Sequence, residues 1–308
     1  MNIIVKLQAG LGNQMFQYAY AAKIASLYKD STIYLDTVFF QKKRIRSLGL
    51  KNYKLAKNVQ WINRIPQWLR FINRSYNVID KIYYKICKKH IKCPKFLSSR
   101  GYWFEWNNLT IPTLKKGIEN IYLFGFFEDE KVFSSIYNQL TEDFIIKNNL
   151  SEQAANLLQI IQQTPNSVGI SIRIGKDRIK FGYPICSKKY YLTALAELQK
   201  LFPIKKLFIS SDCIEQVKKE NWFEQYDTVF IQDLNYSEIL YLLRNCNHFV
   251  ISSSTFSWWT AYLGHFPQKK IIAPTRFYKE KNSRFFTSKI ALKNAIYLDN
   301  ETGIKFKF

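Results

Sequence analysis

Short apolar segments alternate with amphipathic segments through the second half of the chain. Strand-like apolar runs occupy residues 167–173, 205–211, 229–231, 248–252 and 269–273, and helical periodicity occupies residues 188–201, 237–246 and 255–264. This alternation predicts a parallel sheet with helices on both faces and with ligands at the carboxyl ends of its strands. Residues 2–36 show the same order of strand, glycine turn, helix and strand. We therefore expect an α/β fold of two Rossmann-like domains facing a central cleft.

The length of 308 residues is enough for two domains. Ser151 is a predicted N-cap for a helix over residues 152–163, and Pro165 interrupts the pattern just after it. We therefore expect a first domain over residues 1–163 and a second over residues 164–308.

Composition excludes several classes of protein. A hydrophobic content of 47% is incompatible with a disordered chain. No apolar run reaches the ~18 residues of a membrane-spanning helix, and the first ten residues do not resemble a secretory signal. The five cysteines are scattered and form no CxxC pair, which argues against a disulfide scaffold or a zinc knuckle. We expect a cytoplasmic protein.

Basic residues are concentrated in one segment. Residues 42–100 contain 17 Lys and Arg against one acid, Asp80, and this gives them +16 of the net charge of +23. We interpret the segment as a basic helical insertion, because apolar residues recur at spacings of three and four from Ile62 to Ile86. This stripe either packs on the first domain or, with Trp61 and Trp68, lies on an anionic membrane surface through residues 61–100.

The excess charge and the 17% of aromatic residues also raise the possibility of a nucleic-acid-binding protein. The charge is concentrated in one segment, and no known nucleic-acid-binding motif is present. We therefore expect no nucleic-acid partner.

Three stretches carry candidate chemistry, and each also has a structural interpretation. The Gly10–Gly12 turn before a helix exposes backbone amides or simply turns the chain. Arg173, at the end of an apolar strand, binds a phosphate or forms an ion pair with Asp177 or Asp212. The hydroxyl residues that follow the strand at residues 248–252 bind an anion at a helix start, or they cap that helix while its tryptophans fill the core.

Together these stretches resemble one family of enzymes. The sequence contains, in order, GLGNQMFQYA at residues 10–19, SIRIGKD at 171–177, FISSD at 208–212 and SSSTFSWWTAYLG at 252–264. This order resembles the α-1,2-fucosyltransferases of glycosyltransferase family 11, from residue 7 to about residue 275 without the basic insertion. The resemblance implies a two-domain GT-B fold, GDP-L-fucose as donor substrate, and catalysis without a metal ion or other cofactor.

The resemblance also implies roles for individual residues. Arg173 matches the arginine expected to hold the β-phosphate of GDP and is the candidate catalytic residue. The first domain is expected to face the acceptor and the second to bind the GDP-sugar. The candidate GDP-fucose-binding residues are Gly10, Gly12, Asn13, Gln14, Asp212, Ser253, Ser254, Thr255, Phe256 and Ser257.

The expected reaction inverts the donor and transfers L-fucose to the 2-hydroxyl of a galactose-containing glycan in surface polysaccharide synthesis. A lipid-linked acceptor would place the protein on the inner face of the cytoplasmic membrane. Candidate bases or acceptor contacts are Glu128, Asp129 and Asp177, each of which has a structural ion pair as its alternative role.

The chain departs from the family pattern near its central arginine. Ser171 replaces a usual His, and Ile174 replaces a second arginine. Lys176 stands at the position of the usual acid, which is therefore displaced by one residue to Asp177 or lost. Glu128 stands where Gln is common. These departures leave open another GDP-linked deoxysugar as donor, or a reduced activity.

Overall fold

The computed structural model describes residues 1–41, 46–87, 91, 93–105, 111, 116–278 and 290–306. They form two compact units, unit 1 over Met1–Ile145 and unit 2 over Ile146–Phe308. Each unit is built around its own sheet.

Unit 1 contains a sheet of five parallel strands in the order β3-β2-β1-β5-β4. The strands are β1 Asn2–Lys6, β2 Thr32–Asp36, β3 Val59–Ile62, β4 Tyr102–Glu105 and β5 Asn120–Gly125. The helices are α1 Leu11–Ala25, α2 Gln67–Cys87, α3 Lys95–Ser98, α4 Glu130–Phe133 and α5 Tyr137–Asp143. The chain adds β2 and β3 on one side of β1 and then crosses to the other side, so the topological switch point lies between β1 and β5.

Unit 2 contains a seven-stranded sheet in the order β12-β11-β10-β9-β6-β7-β8, which is parallel except for β12. The strands are β6 Ser167–Ile172, β7 Lys206–Ser211, β8 Thr228–Phe230, β9 His248–Val250, β10 Ile271–Pro274, β11 Ala295–Leu298 and β12 Lys305–Phe306. The helices are α6 Glu152–Gln163, α7 Lys176–Phe181, α8 Lys188–Gln199, α9 Ile214–Lys219, α10 Tyr236–Arg244 and α11 Thr255–Tyr262. The switch point here lies between β6 and β9.

The alternation predicted for the second half of the chain is confirmed. Every residue of β6 is buried, as expected for a central parallel strand that is covered on both faces. The predicted helix over residues 152–163 is α6, and the Ser151 hydroxyl accepts a hydrogen bond from the amide of Ala154 at 3.3 Å, as an N-cap does.

The division between the units differs from the predicted boundary at residues 163–164. Helix α6 belongs to unit 2, because the amide of Ser151 donates to the Glu238 carboxylate at 2.8 Å and the Gln153 side chain donates to the carbonyl of Gln232. Pro165 therefore marks the end of a helix inside unit 2 and not the end of a domain.

Part of the predicted basic insertion at residues 42–100 belongs to the core fold of unit 1. Strand β3 lies within it and pairs with β2, so this part of the segment belongs to the sheet. Residues 42–45, 88–90 and 92 of the predicted insertion lie outside the described residues. Helix α2 begins at Gln67 directly after Pro66, as its sequence indicated.

The apolar stripe of the basic segment divides into two parts. Ile65, Leu69 and Tyr76 are buried in a cluster with Phe104 of β4 and Phe124 of β5. The later members Ile79, Tyr83 and Ile86 are exposed. Packing on the first unit is thus confirmed for the early part of the stripe only. No helix in the described ranges is long and apolar enough to span a membrane.

Candidate functional site

The turn after β1 leads directly into α1. Gly10 is the N-cap of α1 with φ −79°, and the left-handed residue of the turn is Ala9, with φ 64°. Gly10 itself therefore has an ordinary backbone conformation. A Cβ at Gly10 would meet nothing within 4 Å, so this glycine leaves open space in front of the α1 N-terminus.

Gln14 ties the turn to a distant segment. Its amide nitrogen donates to the carbonyls of Ala9 at 3.0 Å and Ser47 at 2.9 Å, and its oxygen accepts from the amide of Leu50 at 3.1 Å. The side chain is fully buried. Gln14 is therefore a structural residue and not the ligand contact expected from the sequence, because its amide has no exposed surface to offer.

Gln17, one helical turn later, has a similar role. Its oxygen accepts from the amide of Gln8, just after β1, and its nitrogen donates to the carbonyl of Gly125 at the end of β5, each at 3.0 Å. This bridge joins the carboxyl ends of β1 and β5, which is the switch point of unit 1. Among the candidates of this turn, Gly12 is buried, whereas Gly10 and Asn13 are half-buried and reach the surface.

The end of β5 presents the acidic candidates of unit 1. Phe127 has φ 56°, a conformation that is rare for a bulky side chain, and its ring stacks on Tyr20 with centroids 4.1 Å apart. The half-buried Glu128 follows it directly. Asp129 caps α4, since its carboxylate accepts from the amide of Lys131 at 3.1 Å. A capping role thus accounts for Asp129.

Arg173 follows β6 at the switch point of unit 2. Its guanidinium donates to the carboxylates of Asp212 and Asp177, the latter at 2.5 Å, and its side chain is 20% exposed. Both ion pairs that the sequence left open are therefore present. A guanidinium has five N–H donors, and these two bonds use two of them. The carboxylates fix the orientation of the group and leave it donors for an anion.

Asp212, after β7, organises the loop that carries Arg173. Its two oxygens accept from the amides of Ile174 at 2.9 Å and Gly175 at 2.8 Å. A Cβ at Gly175 would lie 2.2 Å from Asp212 Oδ2, so only glycine allows this approach. Asp212 is therefore a positioning residue for Arg173. Ile174, which replaces the usual second arginine, packs against the core of unit 2.

Arg178 is a residue that sequence analysis did not single out. Its Nη2 donates to the carbonyls of Ser253 at 2.7 Å and Pro184 at 2.8 Å, and its buried Nε has no hydrogen-bond partner among the described residues. Burial, together with the neighbouring charge of Arg173, lowers the pKa of this guanidinium. Arg178 thus joins α7, the helix that follows β6, to the loop after β9. Its short separation from Arg173 was the signal available in the sequence.

The hydroxyl-rich loop after β9 contains both structural and accessible residues. The Ser253 hydroxyl donates to the carbonyl of Arg276 at 2.7 Å and accepts from Asn300 at 2.9 Å, and the buried Ser257 hydroxyl accepts from the amide of Ser252. These hydrogen bonds indicate structural roles for Ser253 and Ser257. Trp258 and Trp259 are in the core, as the structural interpretation expected.

The three residues between Ser253 and Ser257 are partly accessible. Ser254, Thr255 and Phe256 are half-buried at the start of α11, and the Ser254 side chain makes no capping hydrogen bond there. The start of α11 follows β9, and β9 pairs with β6, the strand that precedes Arg173. In the described part of the chain, no group of three or more His, Cys, Asp or Glu residues is arranged to hold a metal ion.

Two solved structures with a similar fold are fucosyltransferases. A crystal structure of NodZ alpha-1,6-fucosyltransferase soaked with GDP-fucose matches with a TM-score of 0.53 and 13% identity, over 85% of this chain and 92% of that one. A structure of NodZ from Bradyrhizobium matches with a TM-score of 0.53 and 12% identity, over 84% and 91% of the two chains. The two α/β units have the GT-B-type fold that the sequence predicted.

Curated relatives and a family model extend along the chain. An alpha-1,2-colitosyltransferase of Escherichia coli is 29% identical over 92% of this chain and 95% of its own length. The O-antigen biosynthesis glycosyltransferase WbnK of Escherichia coli is 25% identical over 91% and 96% of the two chains. The model of glycosyl transferase family 11 matches residues 2–305. The chain is therefore a glycosyltransferase that belongs to glycosyl transferase family 11.

Proposed function

We propose that the protein transfers L-fucose from GDP-β-L-fucose to the 2-hydroxyl of a galactose-containing glycan. The observation that carries the proposal is the placement of Arg173, a guanidinium oriented by two carboxylates at the switch point of a Rossmann-like sheet. Membership of family 11 and the alpha-1,2 linkage in the name of one relative support the proposal. The O-antigen relative supports a role in polysaccharide biosynthesis.

The demanding step of this reaction is the departure of GDP. The bond between the sugar C1 and the β-phosphate oxygen breaks while the acceptor oxygen bonds to C1 from the opposite face, which inverts the configuration. Negative charge develops on the diphosphate as the bond breaks. We propose that Arg173 stabilises that charge, and one well-placed donor contributes roughly 3–4 kcal/mol.

The acceptor hydroxyl must lose a proton as it attacks, and we propose Glu128 as the base that accepts this proton. Glu128 is half-buried and follows a residue held at positive φ, at the end of a central strand of unit 1. Unusual backbone of this kind is concentrated at functional sites, which supports this choice.

The test combines Arg173 variants with a measurement of transfer. Arg173→Ala is expected to lower kcat/KM for GDP-fucose on the order of a thousandfold, because one anion-stabilising donor group is lost. Arg173→Lys is the matched control for charge, and we expect it to recover only part of the loss because it lacks the planar fork. Near-normal transfer by a folded Arg173→Ala protein would rule out the proposed role.

A second candidate donor is a GDP-linked colitose, which the colitosyltransferase relative favours. Colitose lacks the 3-hydroxyl of fucose, so the two donors differ by one group. A site that hydrogen-bonds that hydroxyl rejects the deoxy sugar by roughly 10⁴-fold, whereas a site without such a bond discriminates far less. Measuring kcat/KM with both donors on the wild-type protein therefore decides between them, and preference for the colitose donor would replace fucose in the proposal.

A further inference from the structure

Helix α2 is anchored to unit 1 by one face only. Leu69 and Tyr76 are buried, the Tyr76 ring stacks on Phe104 with centroids 4.4 Å apart, and the Asn73 amide donates to the Tyr122 hydroxyl at 3.2 Å. Asp80, the single acidic residue of the helix, accepts from the amide of Ile91 at 2.8 Å on the same buried side. These contacts fix which side of the helix points away from the sheet.

A second face of α2 is apolar and exposed. Seven of the eighteen strongly exposed large hydrophobic side chains in the described part of the protein lie on this one helix. They are Trp68, Phe71, Val78, Ile79, Ile82, Tyr83 and Ile86. Phe71 is 71% exposed and Ile86 is 75% exposed. Their spacing of three, four and seven residues places them on one side of the helix, adjacent to the buried face. We call this set the apolar face.

A third face of α2 is basic. Arg70, Arg74, Lys81 and Lys85 are exposed and follow one another at spacings of four, seven and four residues, which places them in one row. At 100° per residue, this row runs along the flank of the apolar face that is remote from the sheet. We call these four residues the basic row. No acidic side chain of α2 lies near it, because Asp80 is on the buried side.

From these three faces we infer that α2 lies flat in the headgroup region of an anionic lipid bilayer. The apolar face enters the boundary between headgroups and acyl chains, and the basic row contacts anionic headgroups. The helix of 21 residues is ~31 Å long and lies along the surface through its length. The residues that enter the lipid are those of the apolar face, and not the buried residues Leu69 and Tyr76 of the stripe read from the sequence. This inference is independent of the donor and acceptor proposed above.

Charge favours lipid over the other occupants of such a face. Two copies of α2 packed through their apolar faces would bring two basic rows together, and like charges at an interface oppose association. A nucleic acid would satisfy the basic row but would leave the isoleucines of the apolar face in water. An anionic bilayer matches both faces at once.

The test is flotation of the full-length protein with vesicles of phosphatidylcholine alone or with one third phosphatidylglycerol. One variant changes the four residues of the basic row to Gln, and another changes Phe71, Ile79, Ile82 and Ile86 to Gln. Gln keeps helix propensity, and all eight positions are exposed, so circular dichroism is expected to match the wild type. Two matched control variants change exposed residues outside α2 to Gln. The control for charge changes Lys51, Lys54, Lys147 and Lys219, and the control for hydrophobicity changes Leu27, Ile160, Leu201 and Ile304.

We expect the wild type and both control variants to float with anionic vesicles and to stay at the bottom with neutral ones. Each lost base is expected to reduce partitioning about fivefold, so the basic-row variant should lose on the order of several hundredfold. The apolar-face variant should also lose binding.

Equal flotation with neutral and anionic vesicles would overturn the inference, as would an apolar-face variant that floats like the wild type. A wild-type dimer that the apolar-face substitutions convert to monomer, without flotation, would assign the face to a second copy and would also overturn it.

Discussion

Replacement of Gly175 by alanine tests how the loop after β6 is held. The new Cβ would lie 2.2 Å from Asp212 Oδ2 and 3.1 Å from Asp177 Oδ1, and the first distance is far below any real contact. Asp212 must therefore move. It cannot do so without weakening its bonds from the amides of Ile174 and Gly175 and from the guanidinium of Arg173.

The magnitude follows from the number of bonds that are lost. A hydrogen bond to a charged group contributes about 1.5–3 kcal/mol, and two or three such bonds are strained here. Water recovers part of the loss because the Asp212 side chain is 15% exposed. We expect the free energy of unfolding of unit 2 to fall by about 2–4 kcal/mol, which corresponds to a drop in melting temperature of roughly 5–15 °C for a domain of this size.

Thermal unfolding followed by circular dichroism measures this effect, and Gly10→Ala is the matched control. Gly10 precedes α1 with φ −79°, and a Cβ there meets nothing within 4 Å. We expect this variant to lose less than about 1 kcal/mol of stability, because only the capping preference of glycine over alanine is lost. A Gly175→Ala protein that melts within 2 °C of the wild type would refute the reasoning about Asp212.

Two further substitutions test buried hydrogen bonds. Gln14→Ala should lower the free energy of unfolding of unit 1, measured by urea titration, by about 3 kcal/mol, because it leaves three buried backbone groups without their partner. As a control, Asn13→Ala should cost less than about 1 kcal/mol in the same titration, because Asn13 is only half-buried. Burial lowers the pKa of His248 to about 4, and its Nδ1 accepts from the amide of Lys270 at 3.1 Å. Because the unfolded chain binds this proton near pH 6.5, we expect the contribution of His248 to stability to be complete above that pH and to fall by roughly 3 kcal/mol as the pH drops towards 4. His248→Asn should flatten this part of the curve, and an unchanged slope would contradict the assignment to His248.

The sequence predicted the parts of the fold that rest on local pattern. Continuous apolar runs such as β6 and the capped helix α6 appear at the expected places, because burial on both faces and an N-cap leave a direct trace in the residues. Strand β3 was missed because it is four residues long, polar in part and embedded in a basic segment. Strand β12 was missed because it has two residues.

The candidate site was predictable in position but not in the role of each residue. Parallel strands place the residues after their carboxyl ends at one edge, so Arg173 and Asp212 could be paired from the pattern alone. The Ser253 hydroxyl accepts a hydrogen bond from Asn300, 47 residues away, and the contact of Arg178 with the loop after β9 spans 75 residues. Contacts between residues so distant in sequence have no local signature.

The two glutamines of α1 have a consequence for how donor preference can change. Gln14 and Gln17 belong to the GLGNQMFQYA motif that resembles this family, yet their side chains make structural contacts. The Gln14 amide bonds to the backbone of two loops, and the Gln17 amide joins the ends of β1 and β5. Both side chains stabilise unit 1, and this role does not depend on which sugar is transferred. Enzymes that use different sugars can therefore share both residues. Engineering of donor or acceptor choice should leave them in place and vary accessible neighbours such as Asn13 and Glu128.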